Sequence, residues 1–76
     1  MTHTYKIDFL WDNEAHVWIA TSKDVQGLVL EHDSFDILVD KVRLAVPELL
    51  ELQGVLHKNI NLALDAHKTE RLVISG

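Results

Sequence analysis

One amphipathic stripe governs what this chain can fold into. Between Ser34 and Gly54, the residues Phe35, Leu38, Val42, Ala45, Leu49 and Leu52 recur at spacings of three and four, with Val39 and Val46 beside them. That spacing puts all eight on one side of an α-helix, and that side must be covered. Ser34 suits the N-cap, and Asp36 falls in the first turn, where the helix dipole favours acid. Gly54 suits the C′ position that ends the helix. Pro47 lies inside the stripe. It removes one backbone hydrogen bond and crowds the preceding turn, which predicts a kink, or a break with Pro47 opening a second short helix.

The cover has to come from strands. Residues 4–11 alternate, with Tyr5, Ile7, Phe9 and Trp11 on one face and Lys6 and Asp8 on the other. Residues 16–21 are rich in β-formers. The cluster Asp12, Asn13 and Glu14 between them reads as a turn, so the two strands form an antiparallel hairpin. A three-residue turn pairs Phe9 with Val17 and Ile7 with Ile19, and sends Trp18 to the opposite face near Asp8. A two-residue turn pairs Phe9 with Trp18 and buries the indole. A slip of one residue flips every side chain. The three-residue turn is preferred because it gives two matched apolar pairs.

Residues 23–27 form a second turn, in which Gly27 can supply a positive φ. Residues 28–31 read as a short third strand. Residues 59–66 alternate, with Ile60, Leu62, Leu64 and Ala66 facing one way. Leu72, Val73 and Ile74 are an optional short last strand. The order is β-β-β-α-β, an α+β fold with two layers: one helix packed on one face of a mainly antiparallel sheet.

Seventy-six residues leave room for one domain, residues 1–76. The chain contains no cysteine, which excludes disulfides, zinc–thiolate sites and a thiol nucleophile. Its N-terminus lacks the apolar core of a signal peptide, and no apolar run approaches the ~20 residues that span a bilayer. The expectation is a cytoplasmic protein with no membrane partner. Formal net charge is −5, and the seven basic residues are scattered. Phosphate neutralisation needs them clustered, so no direct DNA binding is expected. An acidic surface suits a basic protein partner, and equally suits plain solubility.

No self-contained catalytic site is visible. His3, His16, His32, His57 and His67 have no metal-ligand spacing, and surface histidines explain them. His32-Asp33 has no nucleophile marked beside it. Asp8 and Asp65 can approach across the sheet, and paired carboxylates can hold Mg²⁺ for phosphoryl chemistry. Such nuclease sites ordinarily add further acids, and here Asp36, Asp40, Glu48 and Glu51 line the helix's polar side instead. Three isolated glycines cannot cradle a phosphate, so no cofactor is expected. What remains is exposed apolar surface. Ile37 and Leu44 lie seven apart, opposite the main stripe, among Asp40, Lys41, Glu48 and Glu51. Leu10 and Trp18 form a second candidate patch on the sheet's outer face in the preferred register. Tryptophan is enriched at interface hot spots, although burial would account for Trp18 as well.

Asp24, Gly27 and Leu28 after two strands, followed by a helix opening at Ser34, resemble the N-terminal domain of HicB-type antitoxins. In that family an aspartate-to-glycine turn, usually Asp-Leu-Pro-Gly, follows the second strand; here Gln26 replaces the proline. The chain is most similar to short, stand-alone HicB-like proteins. Residues 11–12, 14–15, 17–18, 24–25, 27–28 and the run Val46-Pro47-Glu48-Leu49-Leu50-Glu51 carry that similarity, which covers residues 4–66. The resemblance implies a partial ribonuclease-H-like fold, a homo-oligomer, and an antitoxin-like module that masks a small basic HicA-like toxin. Many HicB proteins carry a further DNA-binding element, and no segment up to Gly76 provides one. The alternative is an orphan oligomerising domain that binds another protein or a small ligand. A magnesium-dependent nuclease is the remote alternative.

Overall fold

A computed structural model describes residues 3–55 and 59–75. The elements are β1 (His3–Asp12), β2 (Val17–Thr21), β3 (Val29–His32), α1 (Phe35–Leu52) and β4 (Ile60–His67). They form one sheet in the order β3-β2-β1-β4 with the helix on one face. The α+β, two-layer β-β-β-α-β expectation holds. β1–β2 and β2–β3 are antiparallel and β1–β4 is parallel. The helix therefore carries the chain from one edge of the sheet to the other.

The β1–β2 register differs from both sequence readings. Phe9 pairs with Ala20, Leu10 with Ile19, Trp11 with Trp18 and Asp12 with Val17. The turn is longer than predicted because Asp12 builds it. Its backbone oxygen accepts from His16 N–H at 2.9 Å, and its Oδ1 accepts from Glu14 N–H and Ala15 N–H at 2.9 and 3.2 Å. His16 completes the turn at φ +55°, the left-handed region. The pairing moves by an odd number of residues from the preferred register, so Trp18 lies on the helix side, with Phe9 and Trp11.

The second turn is stitched to β1 and α1. Leu28 N–H donates to Val25 C=O, and Gly27 has φ +85°. This fits a type II turn, whose third residue needs a positive φ. Ser22 Oγ donates to Lys6 C=O and accepts from Asp24 and Val25 N–H. Asp24 Oδ2 accepts from Lys6 N–H at 2.8 Å. The glycine's α-carbon faces Leu49, and Gln53 Nε2 donates to Gln26 C=O. Val25 and Leu28 are thereby held in the core.

The helix runs unbroken through Pro47, so no second helix opens there. Pro47 is exposed, so the Arg43 carbonyl it leaves without an N–H partner can face water. Ser34 caps the start, accepting from Ile37 N–H. Val55 N–H donates to Leu50 C=O and Gly54 N–H to Glu51 C=O, with Gly54 at φ +75°. These bonds make a Schellman ending. Leu38, Val39, Val42, Val46 and Leu50 are buried against Ile7, Phe9 and Ala20. Leu52, assigned to the stripe from spacing alone, is 83% exposed. The covered strip follows 39-42-46-50, and Leu52 has turned out of it.

β4 forms one residue later than predicted at each end. No strand forms over Leu72, Val73 and Ile74. Among the described residues, no helix is long and apolar enough to cross a membrane.

Candidate interaction surface

The helix's outer face follows from its buried strip. With Leu38, Val42 and Val46 turned inward, a helical repeat places Ile37, Lys41, Leu44, Glu48 and Glu51 on the opposite side. Ile37 is 47% and Leu44 73% exposed, as their spacing predicts. Asp40 flanks them and receives Arg43 at 2.9 Å. Glu48 and Glu51 have no ion-pair partner among the described residues. Both lie near the helix C-terminus, where the dipole disfavours carboxylates and where no basic side chain falls in the last turn.

The sheet's outer face holds Leu10, but not Trp18. Leu10 is 54% exposed and lies across from Ile19, with Val29 on the same face of β3. The apolar neighbour of Leu10 is therefore Ile19. Trp18 is half-buried on the helix side, its ring 5.0 Å from Phe35 and 5.5 Å from Trp11. Phe9 joins the cluster 5.0 Å from Phe35, and Lys68 Nζ lies 4.4 Å above the Trp11 ring. Each spacing suits aromatic or cation–π contact. The sequence signal for this arrangement is the aromatic at position 35 opening the helix stripe, which gives Trp18 an inward partner.

The paired carboxylates do meet. Asp8 and Asp65 are register partners across β1–β4, and Lys6 Nζ lies 3.9 Å from Asp8 and 3.6 Å from Asp65. The ammonium thus occupies the place between the two acids. Among the described residues no group of three or more His, Asp or Glu is arranged to hold a metal ion. At His32, Nδ1 lies 2.8 Å from Ser34 N and 2.9 Å from Asp33 Oδ1. One nitrogen cannot serve both: with its lone pair free, Nδ1 accepts from Ser34 N–H; carrying a hydrogen, it donates to Asp33. His57 and Lys58 lie outside the described residues. No polar or charged side chain among the described residues is fully buried, so what this fold offers to another molecule lies on its surface.

The family model for a domain of unknown function, DUF1902, matches residues 4–75. The chain belongs to the DUF1902 family. Its fold recurs in the crystal structure of the hypothetical protein TTHA1013 from the extremely thermophilic bacterium Thermus thermophilus. That chain is 45% identical, with a TM-score of 0.78, over 95% of this chain and 100% of that one. No curated protein matches.

Proposed function

We propose that this DUF1902 chain is a non-catalytic interaction module, antitoxin-like, which binds and masks a small basic ribonuclease of the HicA type. The observation that carries the reading is the outer face of α1. Two exposed apolar side chains, Ile37 and Leu44, lie on it among exposed acids, two of which have no cationic partner among the described residues. Apolar anchors within an acidic rim match a basic protein surface, with the charges steering encounter and the aliphatic groups holding the complex. The HicB-like turn at Asp24, Gly27 and Leu28 supports the same reading.

The test is co-purification of the tagged chain from its host, followed by an RNA-cleavage assay on the partner. The expected result is a stoichiometric small basic protein that cuts RNA alone and not in the complex, and that Ile37→Lys with Leu44→Lys no longer retains. A co-purified partner without nuclease activity, or capture unaffected by the two lysines, would overturn it.

A second reading, an orphan oligomerising domain, is favoured by a different observation: the exposed apolar run at Leu72, Val73 and Ile74.

A further inference from the structure

Lys68 follows β4 and sets its ammonium over Trp11; past that contact the chain stands off the fold. Residues 68–75 are exposed and form neither helix nor strand, and Leu72, Val73 and Ile74 are 80%, 80% and 88% exposed. The chain measures 57 Å along its longest axis and has a radius of gyration of 14.9 Å. A compact chain of this length would have about 11 Å. Three consecutive aliphatic side chains with high β-propensity are held out in water, and the segment does not turn back on its own β4.

The same fold presents a surface that fits them. β4 is an edge strand of eight residues with an open row of backbone groups, whereas the other edge, β3, has four. β4 contains neither proline nor lysine, two of the usual devices that blunt an edge. Ile60 and Leu62 at the start of β4 pack against the core, whereas the helix-side face of the strand is left bare toward its end. Leu64 is 45% exposed and Ala66 is exposed, although they pair with the buried Ile7 and Phe9. Charge points the same way. Residues 1–66 carry eleven acidic and five basic side chains, whereas residues 67–76 carry one acidic and two basic. Arg71 has no ion pair among the described residues.

We propose that residues 68–75 are an exchange arm in a homodimer. Leu72, Val73 and Ile74 of each copy add as a strand along the β4 edge of the other, with apolar side chains over Leu64 and Ala66. Strand addition supplies the backbone hydrogen bonds that the open edge lacks, and reciprocal exchange closes the pair about a two-fold axis. The arm's positive balance meets the negative balance of the body it crosses. This deepens the oligomerising-domain reading and is independent of the toxin-masking one.

Light scattering on the full chain should give twice the 8.7 kDa chain mass. The Leu72→Asp, Val73→Asp, Ile74→Asp triple variant should give the single chain mass with its helix circular dichroism unchanged, since none of the three packs in the core. The absence of native cysteine allows a second readout. A mixture of Ile74→Cys and Leu64→Cys chains should oxidise to a cross-linked pair containing one of each. A full chain that remains monomeric up to its solubility limit would overturn the proposal. So would a triple variant that remains dimeric, or a double Ile74→Cys, Leu64→Cys chain that closes its disulfide within one copy.

Discussion

Trp18 lies directly across the β1–β2 ladder from Trp11, the rings edge to face with centroids 5.5 Å apart. Trp18 also meets Phe35 at 5.0 Å, so it joins the sheet to the first turn of α1. Trp18→Ala should therefore destabilise by about 2–4 kcal/mol, somewhat below the cost for a fully buried aromatic. Leu10→Ser on the outer face should stay within about 0.5 kcal/mol. Urea unfolding of the two variants checks both, and a reversed order would place Trp18 on the wrong side.

The Val25–Leu28 turn gives a pair of opposite predictions. Gly27 has φ +85°, so Gly27→Ala should cost about 1–2 kcal/mol although its Cβ would find ordinary space beside Leu49. Gln26 occupies the second turn position, where proline's φ is already correct, and its N–H makes no hydrogen bond among the described residues. Gln26→Pro should stabilise by about 0.4–1 kcal/mol through the unfolded chain. Thermal melts of both variants would test the turn assignment.

Lys6 separates two carboxylates that face each other across β1–β4. An exposed ion pair is worth little alone, but its removal here leaves like charges opposed. Lys6→Ala should cost about 0.5–1 kcal/mol in the native background and clearly less in Asp65→Asn. A double-mutant cycle measures the difference, and equal costs in the two backgrounds would show that the lysine is energetically idle.

Along α1, Val42→Ala should cost about 2 kcal/mol, since Val42 is fully buried among close-packed neighbours. Leu49→Ala should cost a similar amount, because the side chain is larger but only half-buried. Leu52→Ala, at a position 83% exposed, should change little. Chemical denaturation of the three variants maps the buried strip directly.

Much of this architecture is legible from periodicity. The helix from Phe35, its Ser34 cap, its Gly54 ending and the alternation of β1 and β4 follow from spacings that dictate which side chains share a face. The meeting of Asp8 with Asp65 is likewise foreseeable as two acids on strands of one sheet. The hairpin register is not. It depends on Asp12 accepting three backbone N–H groups and on His16 adopting a left-handed φ, and neither leaves a mark in hydrophobic pattern. The preferred three-residue turn therefore sends Trp18 to the outer face with Leu10, when Ile19 is the residue beside Leu10; the two-residue alternative gives Trp18 the correct face with the wrong partner. Leu52 departs for a simpler reason. Spacings of three and four tolerate drift, and over eighteen residues the strip they describe is wider than the groove that receives it.

The parallel pairing of β1 with β4 bears on how this chain is made. His3 faces Ile60, so the two strands meet only after the intervening chain has been synthesised and the helix has crossed the sheet. During synthesis from the N-terminus, the β1–β2 hairpin can close early on local contacts, whereas the far side of β1 must wait. Until β4 emerges, that side, which runs beside Ile7 and Phe9, is an open strand edge in the nascent chain, the place where a chaperone or a neighbouring nascent chain would first find it.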